Sequence, residues 1–184
     1  MEEDRHSLAE RGIRVFSLAE NLFDSVSDTV HSQGIIAVFK KDVWDSKGQN
    51  SRNLVILDQI QDPGNLGTII RTCDALGLSD IYMTKGSVDP YSQKVLRATM
   101  GSIFNVKLRT NVGIEIIEGL KAAGMCLACT ALEDSVSLTS LEALAGERPL
   151  ALCFGNEGKG ISKELLDICD FRVKIPMRGG AESL

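Results

Sequence analysis

No apolar run in this 184-residue chain approaches the roughly 20 residues a helix needs to cross a bilayer, and its opening Met1-Glu2-Glu3-Asp4-Arg5 is acidic where a secretory leader is basic. A cytoplasmic protein is therefore expected. A basic excess is also lacking: 20 Lys and Arg stand against 25 Asp and Glu, a formal net charge of -5. Bulk charge then draws no phosphate, and any nucleic-acid contact must come from local clusters such as Lys40-Lys41, Lys94 with Arg97, Arg71 or Arg178. Five cysteines, an odd number scattered over apolar stretches (Cys73, Cys126, Cys129, Cys153, Cys169), argue against a disulfide framework and for reduced core thiols. Cys126 and Cys129 have CxxC spacing, but no second pair follows and on a strand they would face opposite sides, so no metal site is expected. The two histidines, His6 and His31, read as surface or turn residues.

What is present is alternation. The 43% hydrophobic content is ordinary for a globular chain, long enough here for one full domain and part of another. Residues 1–11 read as a helix and 14–17 as a short strand. Ser17-Leu18-Ala19-Glu20 then has the capping-box pattern, opening a helix that would bury Leu18, Leu22 and Phe23. Residues 34–39 are apolar enough for another strand. This segment, 1–40, makes an α/β unit too small for its own core. Residues 41–52 are polar and read as an exposed linker. In 53–184, predicted strands at 54–57, 81–83, 106–108, 125–131, 150–154 and 171–175 alternate with predicted helices at 65–76, 90–100, 114–123, 139–144 and 162–168. Such alternation implies an α/β domain with a mainly parallel sheet covered by helices on both faces.

Buried strands run into polar, glycine-rich bends at 53–71, 150–162 and 171–184. In the first, Asp62-Pro63-Gly64-Asn65 has turn chemistry, since Pro63 sets φ and Gly64 permits a positive one; Asn65 is placed to cap the next helix. Arg71 does not share a face closely with Asn65 and should sit over Gly67 and Thr68. In the second, Gly155-Asn156-Glu157-Gly158-Lys159-Gly160 matches neither a Walker A loop nor the dinucleotide fingerprint, because the glycine order and spacing are wrong for both. That disfavours a nucleotide-binding P-loop or Rossmann enzyme. Glycines at a strand end still let backbone amides and carbonyls approach a ligand. The third, Ile175-Pro176-Met177-Arg178-Gly179-Gly180-Ala181-Glu182-Ser183-Leu184, reads as a binding loop opening a helix.

Taken together, these ordered blocks resemble the SpoU (TrmH-like) branch of the SPOUT methyltransferases, over roughly residues 35–184. The resemblance implies a trefoil-knot SPOUT fold, S-adenosylmethionine as cofactor, no metal, and transfer of a methyl group to a ribose 2′-hydroxyl of tRNA or rRNA. It also implies a homodimer formed through the catalytic domain, preceded by a substrate-binding domain of which 1–40 is only part. By the same resemblance Asn65, Arg71, Glu157 and Ser183 are catalytic. Leu152, Phe154, Gly155, Asn156, Glu157, Gly158, Ile175, Pro176, Met177 and Leu184 would bind the cofactor, and Arg71 and Arg178 the RNA. The family assigns the arginine matching Arg71 as phosphate contact and general base; an arginine holds its proton too tightly for the second role to be preferred. In the family the third block continues into Asn and a terminal helix. The sequence ends one residue before that Asn, so truncation at both ends is expected, with weak cofactor binding and little activity from this stretch alone. The alternative reading is a non-catalytic RNA-binding module on a SPOUT fold.

Overall fold

In the computed structural model, residues 2–27, 32–40 and 52–176 are described. The chain divides into two compact units, Met1–Val43 and Trp44–Leu184. The first carries helices α1 (Glu2–Glu10) and α2 (Glu20–Val26). The strands expected at 14–17 and 34–39 are absent: both stretches are irregular. A strand exists by virtue of its partner's ladder, and among the described residues of this unit none supplies one. Ile35, Val38 and Phe39 are consequently 79%, 94% and 66% exposed. Nor does Ser17 cap α2. The helix starts at Glu20 with Ala19 as its N-cap, so Glu20 stands at the first helical position rather than the third and the reciprocal box cannot close. Leu18 and Leu22, expected to be buried, remain exposed and Phe23 is half-buried. The expected linker, 41–52, lies outside the described residues except for Arg52.

The second unit is built on β1 (Leu54–Asp58), β2 (Asp80–Thr84), β3 (Lys107–Val112), β4 (Cys126–Thr130), β5 (Val136–Ser137), β6 (Leu150–Gly155) and β7 (Phe171–Lys174). These strands form one sheet in the order β3-β2-β1-β6-β4-β7-β5, every pairing parallel. Helices α3 (Pro63–Ala75), α4 (Gln93–Ala98), α5 (Ile114–Ala122), α6 (Leu141–Ala145) and α7 (Lys163–Ile168) make the crossovers. The β1 pattern Leu-Val-Ile-Leu is apolar on both faces because both are covered. Leu54 and Ile56 pack with Ile117 of α5 and Leu165 of α7; Val55 and Leu57 pack with Leu66 and Ile70 of α3 and Val95 of α4. The α/β architecture expected from alternation is thus the one observed. The two-residue β5 escaped notice because it is too short to show a period, and α4 is shorter than the 90–100 expected, followed instead by a 3-10 turn at Ser102–Phe104.

Burial pushes the Cys73 thiol up to about 11, and Cys129 is raised further by its contact with Cys153 and by desolvation. They behave as small apolar core residues. At the sheet's amino end Asp170 accepts the Leu127 N–H at 2.9 Å and pairs with Lys121 at 3.6 Å and Arg148 at 3.8 Å, tying α5, β4 and β7 together.

Candidate active site

The carboxyl ends of β1 and β6 are neighbours, with Asp58 opposite Gly155, and the polar loops leaving them interlock. After β1 the chain passes through Gln59, a non-glycine residue at φ 57, a conformation that persists only where its surroundings hold it. They do: the Gln59 N–H donates to Thr84 Oγ1 at 3.1 Å and its carbonyl accepts Asn156 Nδ2 at 2.9 Å. Helix α3 then opens at Pro63, with Asp62 as its N-cap accepting the Asn65 N–H at 2.8 Å. Asp62, not Asn65, is therefore the cap. Proline's fixed φ suits the first helical turn, which moves the helix start ahead of Asn65 and frees the Asn65 side chain.

Past β6, the loop closes on itself through paired Asn156 and Gly160 backbone bonds of 2.9 and 2.8 Å. Asn156 Oδ1 accepts the Gly158 and Lys159 N–H groups at 3.0 and 2.9 Å, forming the bend inside. The loop's two arms are so close that a Cβ on Gly155 would meet the Gly160 carbonyl carbon and the Ile161 nitrogen at 2.3 Å.

Glu157, at the exposed tip, reaches across to the other loop. Its carboxylate accepts the Gln61 N–H at 3.2 Å, the Asp62 N–H at 3.1 Å and Asn65 Nδ2 at 3.2 Å. Partial desolvation raises its pKa, but hydrogen bonds from its own backbone, Gln61, Asp62 and Asn65 outweigh that and hold the carboxyl below its ordinary value. Because a carboxylate can only accept, Asn65 must present its amide nitrogen here, and its Oδ1 points elsewhere.

Arg71 lies further along α3, exposed, and among the described residues it has no hydrogen-bond or ion-pair partner. It borders a shallow depression lined with Thr68, Thr72, Asp74, Leu76 and Ser102. One turn back, Gly67 lets α4 approach closely: a Cβ there would meet the Ala98 Cβ at 2.3 Å. Asn65 and Glu157 are thus brought together, while Arg71 makes no hydrogen bond or ion pair with either. Leu152 and Phe154 turn their side chains into core clusters, leaving only backbone at the strand end. Ile175 and Pro176 follow β7 and are exposed; Met177, Arg178, Ser183 and Leu184 lie outside the described residues.

Sheet order brings in residues that the sequence reading missed. Strand β4 lies between β6 and β7, so its carboxyl end, Thr130 to Leu132, separates the two segments assigned to the cofactor. Thr130 donates its hydroxyl to the Cys153 carbonyl at 3.1 Å, and Thr130 pairs with Val173. Leu132 and Ile175, each two residues further on, are 62% and 52% exposed at this end of the sheet. Asp58 and Thr84 were missed as well. The only signal for Asp58 was a carboxylate ending an apolar run.

A parallel α/β sheet with interlocked polar loops at adjoining strand ends defines a protein of the class that binds ligands outside the strands' carboxyl ends. More narrowly, the chain belongs to the SpoU rRNA Methylase family, whose sequence model matches residues 52–184. It is 35% identical over 175 residues to the 23S rRNA (guanosine(2553)-2′-O)-methyltransferase RlmP of Bacillus subtilis, across 95% of this chain and 68% of that one. Among solved structures it resembles the AdoMet-bound rRNA methyltransferase of Sinorhizobium meliloti, with 38% identity and a TM-score of 0.68 over 74% of this chain and 51% of that one. The SpoU methyltransferase AviRb of Streptomyces viridochromogenes, in complex with the cofactor AdoMet, is 32% identical with a TM-score of 0.64, over 75% and 56% of the respective chains. The chain therefore spans about two thirds of the curated relative and about half of each structural one.

Proposed function

We propose that the protein transfers a methyl group from S-adenosylmethionine to a ribose 2′-hydroxyl of rRNA or tRNA, a soluble reaction of the cytoplasm. The Glu157 clamp carries this reading: it couples the loop after β6 to the start of α3, the helix that carries the exposed Arg71. The described residues fit the cofactor, because exposed Leu132 and Ile175 offer apolar surface for an adenine at the strand ends, and the Asn156 and Glu157 side chains of the neighbouring loop are turned onto the segment after β1. When bound, S-adenosylmethionine supplies an electrophilic methyl group. Backbone at Leu152, Phe154, Gly155 and Asn156, with Ile175, Pro176, Met177 and Leu184, would hold it; Ser183 and Arg178 are assigned to catalysis and RNA contact.

The chain's own groups divide the remaining work. Arg71, unpaired among the described residues, clamps an RNA phosphate and polarises the adjacent 2′-hydroxyl through alignment rather than by taking its proton. Glu157 is a poor base, since its lone pairs are engaged and its proton affinity lowered. Its work is to aim Asn65, whose Oδ1 would accept from the ribose hydroxyl; as the new oxygen–methyl bond replaces the sulfur–methyl bond, the hydroxyl proton would leave to solvent water. A homodimer through this unit is supported by Leu76, Met100 and Phe104, which are 69%, 77% and 41% exposed; Leu76 lines the depression beside Arg71, and Phe104 shares the 3-10 turn of Ser102, which lines it too. Light scattering of the whole protein should give a dimer; an active monomer would exclude it. Residues 1–40 are assigned to an RNA substrate-binding domain, joined through 41–52 to the catalytic domain 53–184.

The test is single-turnover transfer of labelled methyl from S-adenosylmethionine to unmodified rRNA and tRNA by the whole protein, with mass mapping of the product. A ribose-methylated nucleotide is expected. Methylation on a base, or none by a folded protein that binds RNA, would overturn the reading.

A further inference from the structure

Thr84 lies outside every motif block, at the end of β2, yet its hydroxyl occupies the junction between the two functional loops. It donates to Asp58 Oδ1 at 2.8 Å and accepts the Gln59 N–H at 3.1 Å. Asp58 is only 2% exposed, and its other oxygen, Oδ2, accepts the Ser162 N–H at 2.7 Å, where the loop after β6 enters α7. A buried carboxylate costs several kcal/mol unless hydrogen-bonded, so Asp58 keeps both contacts. The loop after β6 is therefore pinned at its exit to Asp58, the last residue of β1, and to the segment that follows β1 at its entry by Asn156 on the Gln59 carbonyl and at its tip by Glu157. Thr84 alone controls two of the partners at once: it orients the Asp58 carboxylate and secures Gln59 in its left-handed conformation.

We propose that Thr84 and Asp58 form a positioning pair for the cofactor loop, holding residues 155–162 against the start of α3 so that the S-adenosylmethionine site and the Arg71 helix keep one register. This rests on the methyltransferase reading above. Neither residue touches substrate; both act through Gln59 and Ser162. Removing the Thr84 hydroxyl leaves the Gln59 N–H without its acceptor and lets the Asp58 carboxylate turn, which loosens both ends of the cofactor loop while Arg71, on α3, keeps its hold on RNA.

Thr84→Val, nearly the same shape without the hydroxyl, and Thr84→Ser, which retains it, separate the possibilities in the whole protein. Well below the variant's melting temperature, hydrogen exchange at the Gln59 and Ser162 amides should accelerate about tenfold or more in Thr84→Val, the scale of one lost bond to a charged group. Affinity for S-adenosylmethionine should fall by a similar factor and its KM rise, the KM for RNA should not move, and Thr84→Ser should restore all of these. Unchanged exchange at both amides would overturn the proposal, as would unchanged cofactor affinity. Should Thr84→Val not fold, Thr84→Ala replaces it; if that also fails while Thr84→Ser folds, the hydroxyl serves the whole fold and the proposal is overturned. A wild-type protein that binds no S-adenosylmethionine would sink the methyltransferase reading instead, and amide exchange alone would then decide whether the clamp exists.

Discussion

The Glu157 carboxylate accepts the Asn65 side-chain amide at 3.2 Å across 92 residues of sequence. It takes the Gln61 and Asp62 N–H groups as well, so a single exposed side chain joins the loops after β1 and β6. Glu157→Ala leaves those donors to water and frees Asn65 to rotate. Transfer measured as kcat/KM should fall roughly 10- to 100-fold, on the scale of lost hydrogen bonds to a charged group. Glu157→Gln, with one acceptor oxygen instead of two, should fall between. Melting temperature should move little in either variant, because the carboxylate is exposed.

The same carboxyl sets an acid limit. Its folded pKa is depressed by the hydrogen bonds that outweigh desolvation, so its ordering contribution is fully present above the unfolded value of about 4.3 and is lost as pH falls through the lower folded value. The Asn65 side-chain amide resonance should hold steady from neutral pH down to about 4.3 and shift below it. A midpoint above the ordinary carboxylate range would contradict the geometry, and Glu157→Gln should abolish the titration.

Arg71 is exposed and touches no described partner, so Arg71→Ala should leave the melting temperature within about 0.5 kcal/mol equivalent of wild type while abolishing detectable methyl transfer. Arg71→Lys should fail too, because an ammonium cannot reproduce a two-pronged contact with phosphate. Near-normal turnover in either variant would remove Arg71 from the site.

Gly67 is a steric matter. An added methyl would lie 2.3 Å from the Ala98 Cβ and 2.9 Å from the Ala98 carbonyl carbon. Gly67→Ala should push α3 from α4 and cost about 1–3 kcal/mol by denaturant unfolding, the usual scale of overpacking. Adding Ala98→Gly should recover part of that loss, since it removes the Cβ but not the backbone. Equal stability of wild type and Gly67→Ala would mean that α3 and α4 sit further apart.

The sequence by itself determined the architecture of 53–184, because apolar runs bounded by turns record burial directly: 54–57 and 150–154 are legible as strands, and their polar exits as the loops that meet at the candidate site. Strands at 14–17 and 34–39 misled because apolar character records a wish for burial, while a strand also needs a partner's backbone. The clamp itself was illegible. Glu157 and Asn65 could be singled out as motif residues, but that one holds the other depends on β6 lying beside β1, a pairing no local pattern announces. Thr84 left no trace in the sequence, being an ordinary threonine after an apolar run, and only the parallel pairing of β2 with β1 sets its hydroxyl against Asp58. The same holds for Leu132, which is placed at the carboxyl ends of β6 and β7 only because sheet order puts β4 between them. Periodicity is a property of neighbours along the chain, whereas hydrogen bonds between loops follow from neighbours in space, and the tertiary structure alone decides those.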